Sequence, residues 1–303
     1  MSDFMKVVFK RILADVYRRI KLPFSILKTN LMLFKPISFM ETDHKSASDN
    51  GEYPELALKA ALDPATYSVF RRHYKYTDIL EHVTRKQGEE YLEVIRDKYK
   101  LKDDEIFEII KPLMKVGNPR LLKLRGLSKK ISTTGIRYLK IALDIKESTG
   151  NNIGNVVEIG CGYGGQAIIL DRLLNIDSYT FYDLWQVNLL IKRFIEDSNF
   201  STKYKISTIR EDSFNLRNSW DFCISNYAFS EMPKALQEIY LNRIINKTKK
   251  GYMLMNSGVS GEFDYLKTYS QKDLLNTLKN SHIEDEKPLT FKNNYLLKWG
   301  MEY

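Results

Sequence analysis

The sequence predicts an α/β domain, a largely parallel sheet with helices on both faces, preceded by a mostly helical N-terminal region. Three observations predict it. Beyond residue 151, short apolar runs alternate with helical stretches, the pattern of parallel strands joined by crossover helices. One of these runs, at 156–159, leads straight into glycines at 160, 162, 164 and 165. By contrast, residues 54–147 carry apolar positions mainly at helical spacing. The division falls at 1–150 and 151–303.

In the first segment, Phe4, Val8, Ile12, Val16 and Ile20 recur every fourth position. They describe an amphipathic helix with a basic polar face. Such a helix packs on its own domain or on a second copy of the chain; its alternative role is peripheral contact with an anionic membrane surface. Residues 41–53 are polar and read as a loop. Asp63 before Pro64 is a cap followed by a first-turn proline. Residues 89–99 and 103–114 repeat apolar positions at helical spacing, and Gly117-Asn118-Pro119 ends that run. Ser132 to Thr134 caps the next helix, 135–147. Strands are then expected at 153–159, 178–182, 204–209, 220–226, 251–256 and 294–299. Helices are expected at 164–175, 185–197, 233–247 and 271–279.

Composition narrows the function classes. With 43% apolar residues in 303, a substantial core can form. Net charge is +9, but the first forty residues hold eight Lys/Arg against two Asp, +6 of that total. The remaining +3 argues against a nucleic-acid groove across the body. Two cysteines, Cys161 and Cys223, fit a reducing cytosol rather than a disulfide framework. No apolar run reaches the roughly 18 residues of a membrane span, and the start lacks a signal peptide's apolar stretch. A cytoplasmic protein, or one at the inner face of the membrane, is expected. No grouping of His, Cys, Asp and Glu is spaced as a metal site.

The glycine run is the most informative stretch. Gly160, Gly162 and Gly165 fit the dinucleotide fingerprint G-x-G-x-x-G. Gly160, Gly162 and Gly164, with Tyr163 between them, equally fit the acid-x-G-x-G-x-G pattern of S-adenosylmethionine sites. Glu158 shifts the balance toward S-adenosylmethionine. A carboxylate at the strand's end can position the methionine amino group, whereas it would repel a pyrophosphate. Asp183, followed by Leu184, ends the second strand, where a carboxylate can accept both ribose hydroxyls. Asp212 and Ser213 follow the third strand, where an adenine contact is expected. The fourth strand ends at Asn226 and the fifth at Asn256, polar groups at the rim where open α/β sheets bind ligands.

The runs VVEIGCGYGGQA, FYDL, SNYAFSEM and KKGYMLMN, with the preceding 117–119 turn and 132–138 segment, resemble a bacterial family of sugar O-methyltransferases. The resemblance spans roughly residues 110–260. It implies a Rossmann-like methyltransferase sheet and S-adenosyl-L-methionine as donor. It also implies that the acceptor is a sugar or glycan hydroxyl of a surface polysaccharide or its precursor, nucleotide- or lipid-linked.

A sugar hydroxyl is a weak nucleophile, so a general base is expected. Glu231, just past the fourth strand, is the first choice, and Tyr227 in the same motif adds a phenol. His73 lies in a cationic, aromatic cluster; His44, His82 and His282 are the other imidazoles. Arg137 and Tyr138, in the preceding helix, either reach over the donor or serve a structural role. Three alternatives remain: a methyltransferase acting on RNA or protein, a nicotinamide-dependent sugar-modifying enzyme, and a non-catalytic scaffold.

Overall fold

The structure is a computed structural model that describes residues 46–49, 51–209, 219–257 and 267–301. The expected helix at 4–20 and the pair Asp212-Ser213 lie outside the described residues. Residues 44–303 form one compact unit.

The described chain begins with helices: α1 (Glu52–Leu62), α2 (Pro64–Val69), α3 (Tyr74–Ile79), α4 (Arg85–Tyr99) and α5 (Asp103–Ile110). A two-residue antiparallel pair, β1 (Leu121–Leu122) and β2 (Ile131–Ser132), leads into α6 (Thr133–Thr149). The caps are those the sequence suggests. Asp63 accepts the Thr66 amide at 2.8 Å, and Ser132 accepts the Gly135 amide at 3.1 Å.

The sheet follows. Its elements are β3 (Asn152–Ile159), α7 (Gly165–Leu173), β4 (Asn175–Tyr182), α8 (Trp185–Asp197) and β5 (Tyr204–Ser207). Then come β6 (Trp220–Asn226), α9 (Lys234–Arg243), β7 (Thr248–Met255), α10 (Gln271–Thr277), β8 (Ser281–Asp285) and β9 (Tyr295–Trp299). The strand order is β5-β4-β3-β6-β7-β9-β8. Strands β3 to β7 run parallel, and β9 runs antiparallel to both of its neighbours.

The sheet is largely parallel, as expected, but β8 was not among the expected strands. Strand β8, Ser-His-Ile-Glu-Asp, carries one apolar residue in five and gives no apolar run. It is an edge strand, and its Glu284 pairs with Lys298 of β9 at 2.5 Å. Charged side chains are a common protection of sheet edges.

Alternate residues of the strands face opposite cores. Val156, Tyr179, Phe181, Ile224 and Leu254 face the α1–α8 side. Val157, Ile159, Tyr182, Met253 and Leu297 face α9 and α10. The first core is continuous from Tyr53 in α1 to Met301. Residue 150 therefore marks a change of secondary structure, while the packing runs through it. Among the described residues no helix is long and apolar enough to cross a membrane.

Candidate functional site

The carboxyl ends of the parallel strands gather the candidate residues at one rim, as the crossover topology requires. The chain leaves β3 through three glycines with positive φ: Gly160 (71°), Gly162 (60°) and Gly164 (85°). This is left-handed backbone that other residues adopt only with strain. A side chain at Gly160 would collide with the Cβ of Ala228. Gly165 differs in role. It opens α7, and a Cβ there would come within 2.6 Å of the Tyr163 ring and 2.7 Å of the Tyr138 ring. The turn thus depends on the 160-162-164 spacing, with Gly165 needed for packing.

Asp183 stands directly opposite this turn. Its Oδ2 accepts the amides of Cys161 at 2.6 Å and Gly162 at 3.1 Å, and its Oδ1 accepts the Leu184 amide at 2.7 Å. Burial pushes its pKa up to about 7, against the downward pull of those three amides. The residue as a whole keeps some solvent exposure.

Glu158 is not where the sequence argument put it. Its side chain is 1% exposed and points into the α1–α8 core, where Oε2 accepts the Tyr179 hydroxyl at 2.7 Å. Burial raises its pKa to about 8. It is therefore largely protonated at neutral pH, so charge repulsion of a pyrophosphate cannot be its role. Strand pleating is the reason: Glu158 shares the inward face of Val156, and two residues of separation keep it there.

Tyr163 is also turned away from the rim. Its ring is fully buried, with Phe194 edge-on at 4.7 Å and the Arg71 guanidinium 4.6 Å over its face. It anchors the glycine turn from behind. Arg71 in turn pairs with Glu81 at 2.6 Å.

The opposite wall comes from β6 and β7. Asn226 donates to Gln166 Oε1 at 3.3 Å, and its own Oδ1 has no partner although it is buried. Tyr227 adopts φ of 69°, which turns the chain so that Ala228 meets Gly160. Its hydroxyl donates to Glu286 and lies 3.2 Å from Thr290 Oγ1. Nothing in the sequence pointed to this contribution from 286–290. Glu231 accepts Asn256 Nδ2 at 3.0 Å and Ser48 Oγ at 3.4 Å. Tyr53, buried in α1, lies close enough to Asp183 and Glu231 for both to act on its hydroxyl. The start of α1 and residues 46–49 therefore border the rim.

His73 is not part of this gathering. It is exposed at the start of α3, stacked on Tyr74 at 4.8 Å, with Glu52 as its charged neighbour. His82 is the imidazole nearer the rim. Desolvation of its ring and the nearby Arg137 charge lower its pKa, although the residue as a whole is solvent-exposed. A cavity of about 360 Å³ bordered by Asn152, Asp177, Asp221 and Lys249 opens at the other end of the sheet, where no candidate residue lies.

The sheet departs from one of the two plans that the glycine spacing left open. A dinucleotide sheet is built as two parallel βαβαβ halves; here β9 is inserted antiparallel between β7 and β8.

No family model and no curated protein matches the chain. Among solved structures it is similar to an S-adenosylmethionine-dependent methyltransferase from Clostridium acetobutylicum ATCC 824, at 12% identity and TM-score 0.42, over 54% of this chain and 91% of that one. It is similar to the N-methyltransferase NodS from Bradyrhizobium japonicum WM9 at 11% identity and TM-score 0.42, over 54% and 92%. The YcgJ protein from Bacillus subtilis aligns at 14% identity and TM-score 0.37, over 49% and 70%.

Proposed function

We propose that the chain is an S-adenosylmethionine-dependent O-methyltransferase whose acceptor is a sugar hydroxyl of a bacterial surface polysaccharide or its precursor. The observation that carries the donor assignment is the pairing of Asp183 with the three-glycine turn, within a parallel sheet that carries the antiparallel β9 beside β7. The turn leaves no room for a Cβ at Gly160, and Asn226 presents an unpartnered oxygen beside it. These features fit a nucleoside with a polar arm. Asp183 would accept the ribose hydroxyls, and Asn226 would meet the arm. When bound, the donor supplies an electrophilic methyl group on a sulfonium.

The chain's own part is to hold the acceptor in line, exclude water and take a proton. Glu231 is placed for the last task. Asn256 and Ser48 hold its carboxylate at the rim, and a hydroxyl oxygen docked against it would pass its proton to one of those oxygens. The sugar as acceptor class rests on the family resemblance of the 156–167 and 225–232 motifs. Calorimetry with S-adenosylmethionine and with NAD tests the donor: binding of the first alone is expected, and binding of NAD alone would overturn the assignment. For the acceptor, glycans from cells with and without the gene are compared by mass. A loss of one CH₂ per modified sugar is expected on deletion.

A further inference from the structure

Arg137, in the first half of α6, is 4% exposed. Its Nε has no partner; a terminal nitrogen reaches the Leu80 carbonyl at 3.5 Å, and the Tyr138 side chain is its other hydrogen-bond neighbour. Among the described residues no carboxylate lies within ion-pair distance of it. Its surroundings are the rings of Tyr138 at 5.6 Å and Tyr227 at 5.8 Å. Arg71, equally buried in the same helical layer, shows the usual solution, an ion pair with Glu81 at 2.6 Å. A guanidinium stays charged when buried, so an enclosed one without a counter-ion is unfavourable. Arg137 is thus a buried cation for which the described residues provide no anion.

Its position indicates which anion. Leu80, whose carbonyl it touches, packs 3.1 Å from where a Cβ on Gly162 would stand. Tyr227, under the guanidinium, precedes the Ala228 that closes on Gly160. The carbonyl of the adjacent Tyr138 accepts Gln166 Nε2 at 3.0 Å, and Gln166 binds Asn226. Arg137 thus flanks the glycine turn on the β6 side, while Asp183 flanks it on the β4 side. A ligand whose ribose meets Asp183 and which crosses the turn ends beside Arg137.

We propose that Arg137 is the counter-ion for the carboxylate of the donor's amino-acid arm, bound through the planar fork that guanidinium offers to carboxylates. The assignment rests on the donor reading above. It makes Arg137 a determinant of donor specificity, selecting ligands that carry both the nucleoside and the α-carboxylate.

The test uses calorimetry on the full chain with S-adenosylmethionine, its decarboxylated analogue, and 5′-methylthioadenosine, which lacks the amino-acid arm. The unaltered protein is expected to bind S-adenosylmethionine at least roughly tenfold more tightly than the decarboxylated analogue, the scale of one charged hydrogen-bonded contact. Arg137→Met should lose that roughly tenfold preference and bind the other two ligands within about twofold of the unaltered protein. Its unliganded melting temperature should equal or exceed that of the parent, because an unpaired buried charge is gone. An equal loss for all three ligands in Arg137→Met would make the residue merely structural and overturn the assignment. If Arg137→Met does not fold, the comparison on the unaltered protein decides: equal affinity with and without the carboxylate overturns it. Binding of none of the three would instead overturn the donor reading, and this assignment with it.

Discussion

The carboxyl of Asp183 is bound to the main-chain amide of Cys161 at 2.6 Å, so the end of β4 and the glycine turn after β3 are held as one piece. Two of its lone pairs face the turn amides, and Oδ1 keeps capacity beyond the Leu184 amide. The residue that orders the turn is therefore also the one proposed to meet a ribose.

Asp183→Asn should weaken donor binding by about 2 kcal/mol, roughly thirtyfold, because ribose hydroxyls donate to a charged acceptor more strongly than to an amide. The pH dependence follows from its pKa of about 7. Below that value the carboxyl must lose a proton before it can accept both hydroxyls. Donor affinity should thus rise by up to about tenfold per pH unit toward pH 7 and level off above it. Titration calorimetry between pH 5.5 and 8.5 checks this. A flat profile in the unaltered protein, or a sloping one in Asp183→Asn, would contradict the role.

Glu231→Gln removes the proposed proton acceptor while keeping an oxygen for Asn256. Turnover should fall by roughly a hundredfold or more. Donor affinity should stay within about twofold, since the residue belongs to the acceptor side of the rim. Measuring kcat beside a donor titration separates the two. A matching loss of donor affinity would make Glu231 a structural part of the turn after β6.

Gly160→Ala should destabilise the fold by about 3 kcal/mol, combining strain at positive φ with a collision at Ala228. In an Ala228→Gly background the same change should cost only the strain, about 1 kcal/mol. Denaturant melts of the four proteins in this cycle measure the coupling. Additive effects would mean the two Cβ positions do not meet.

Glu158 makes stability depend on pH in the direction opposite to a paired carboxylate. Its pKa in the fold, about 8, lies above the ordinary 4.5. The native state therefore keeps a proton that the unfolded chain releases between those values. Stability is fullest below pH 4.5 and declines as pH rises toward 8. Glu158→Gln cannot ionise and should gain about 1–3 kcal/mol over the parent at pH 9, with little difference at pH 5. Thermal melts at both pH values check it.

By itself the sequence determined the scaffold and the place of the site. Period-two and period-3.6 patterns located β3, β6, α8 and the glycine turn, because burial on one or two faces forces a repeat that local spacing records. Strand ends then marked Asp183, Asn226 and Glu231, because parallel topology carries every such end to the same rim. Only the tertiary structure decided which of these groups face the rim. Glu158 and Tyr163 turn inward because pleat and packing set a side chain's direction, which composition does not show. Strand β8 escaped notice because an edge strand needs no apolar run. Glu286 and Thr290 reach Tyr227 across about sixty residues of chain, and contacts that distant leave no periodic trace. That no described carboxylate pairs with Arg137 is likewise a tertiary fact, because ion pairs between distant segments leave no local pattern in the sequence.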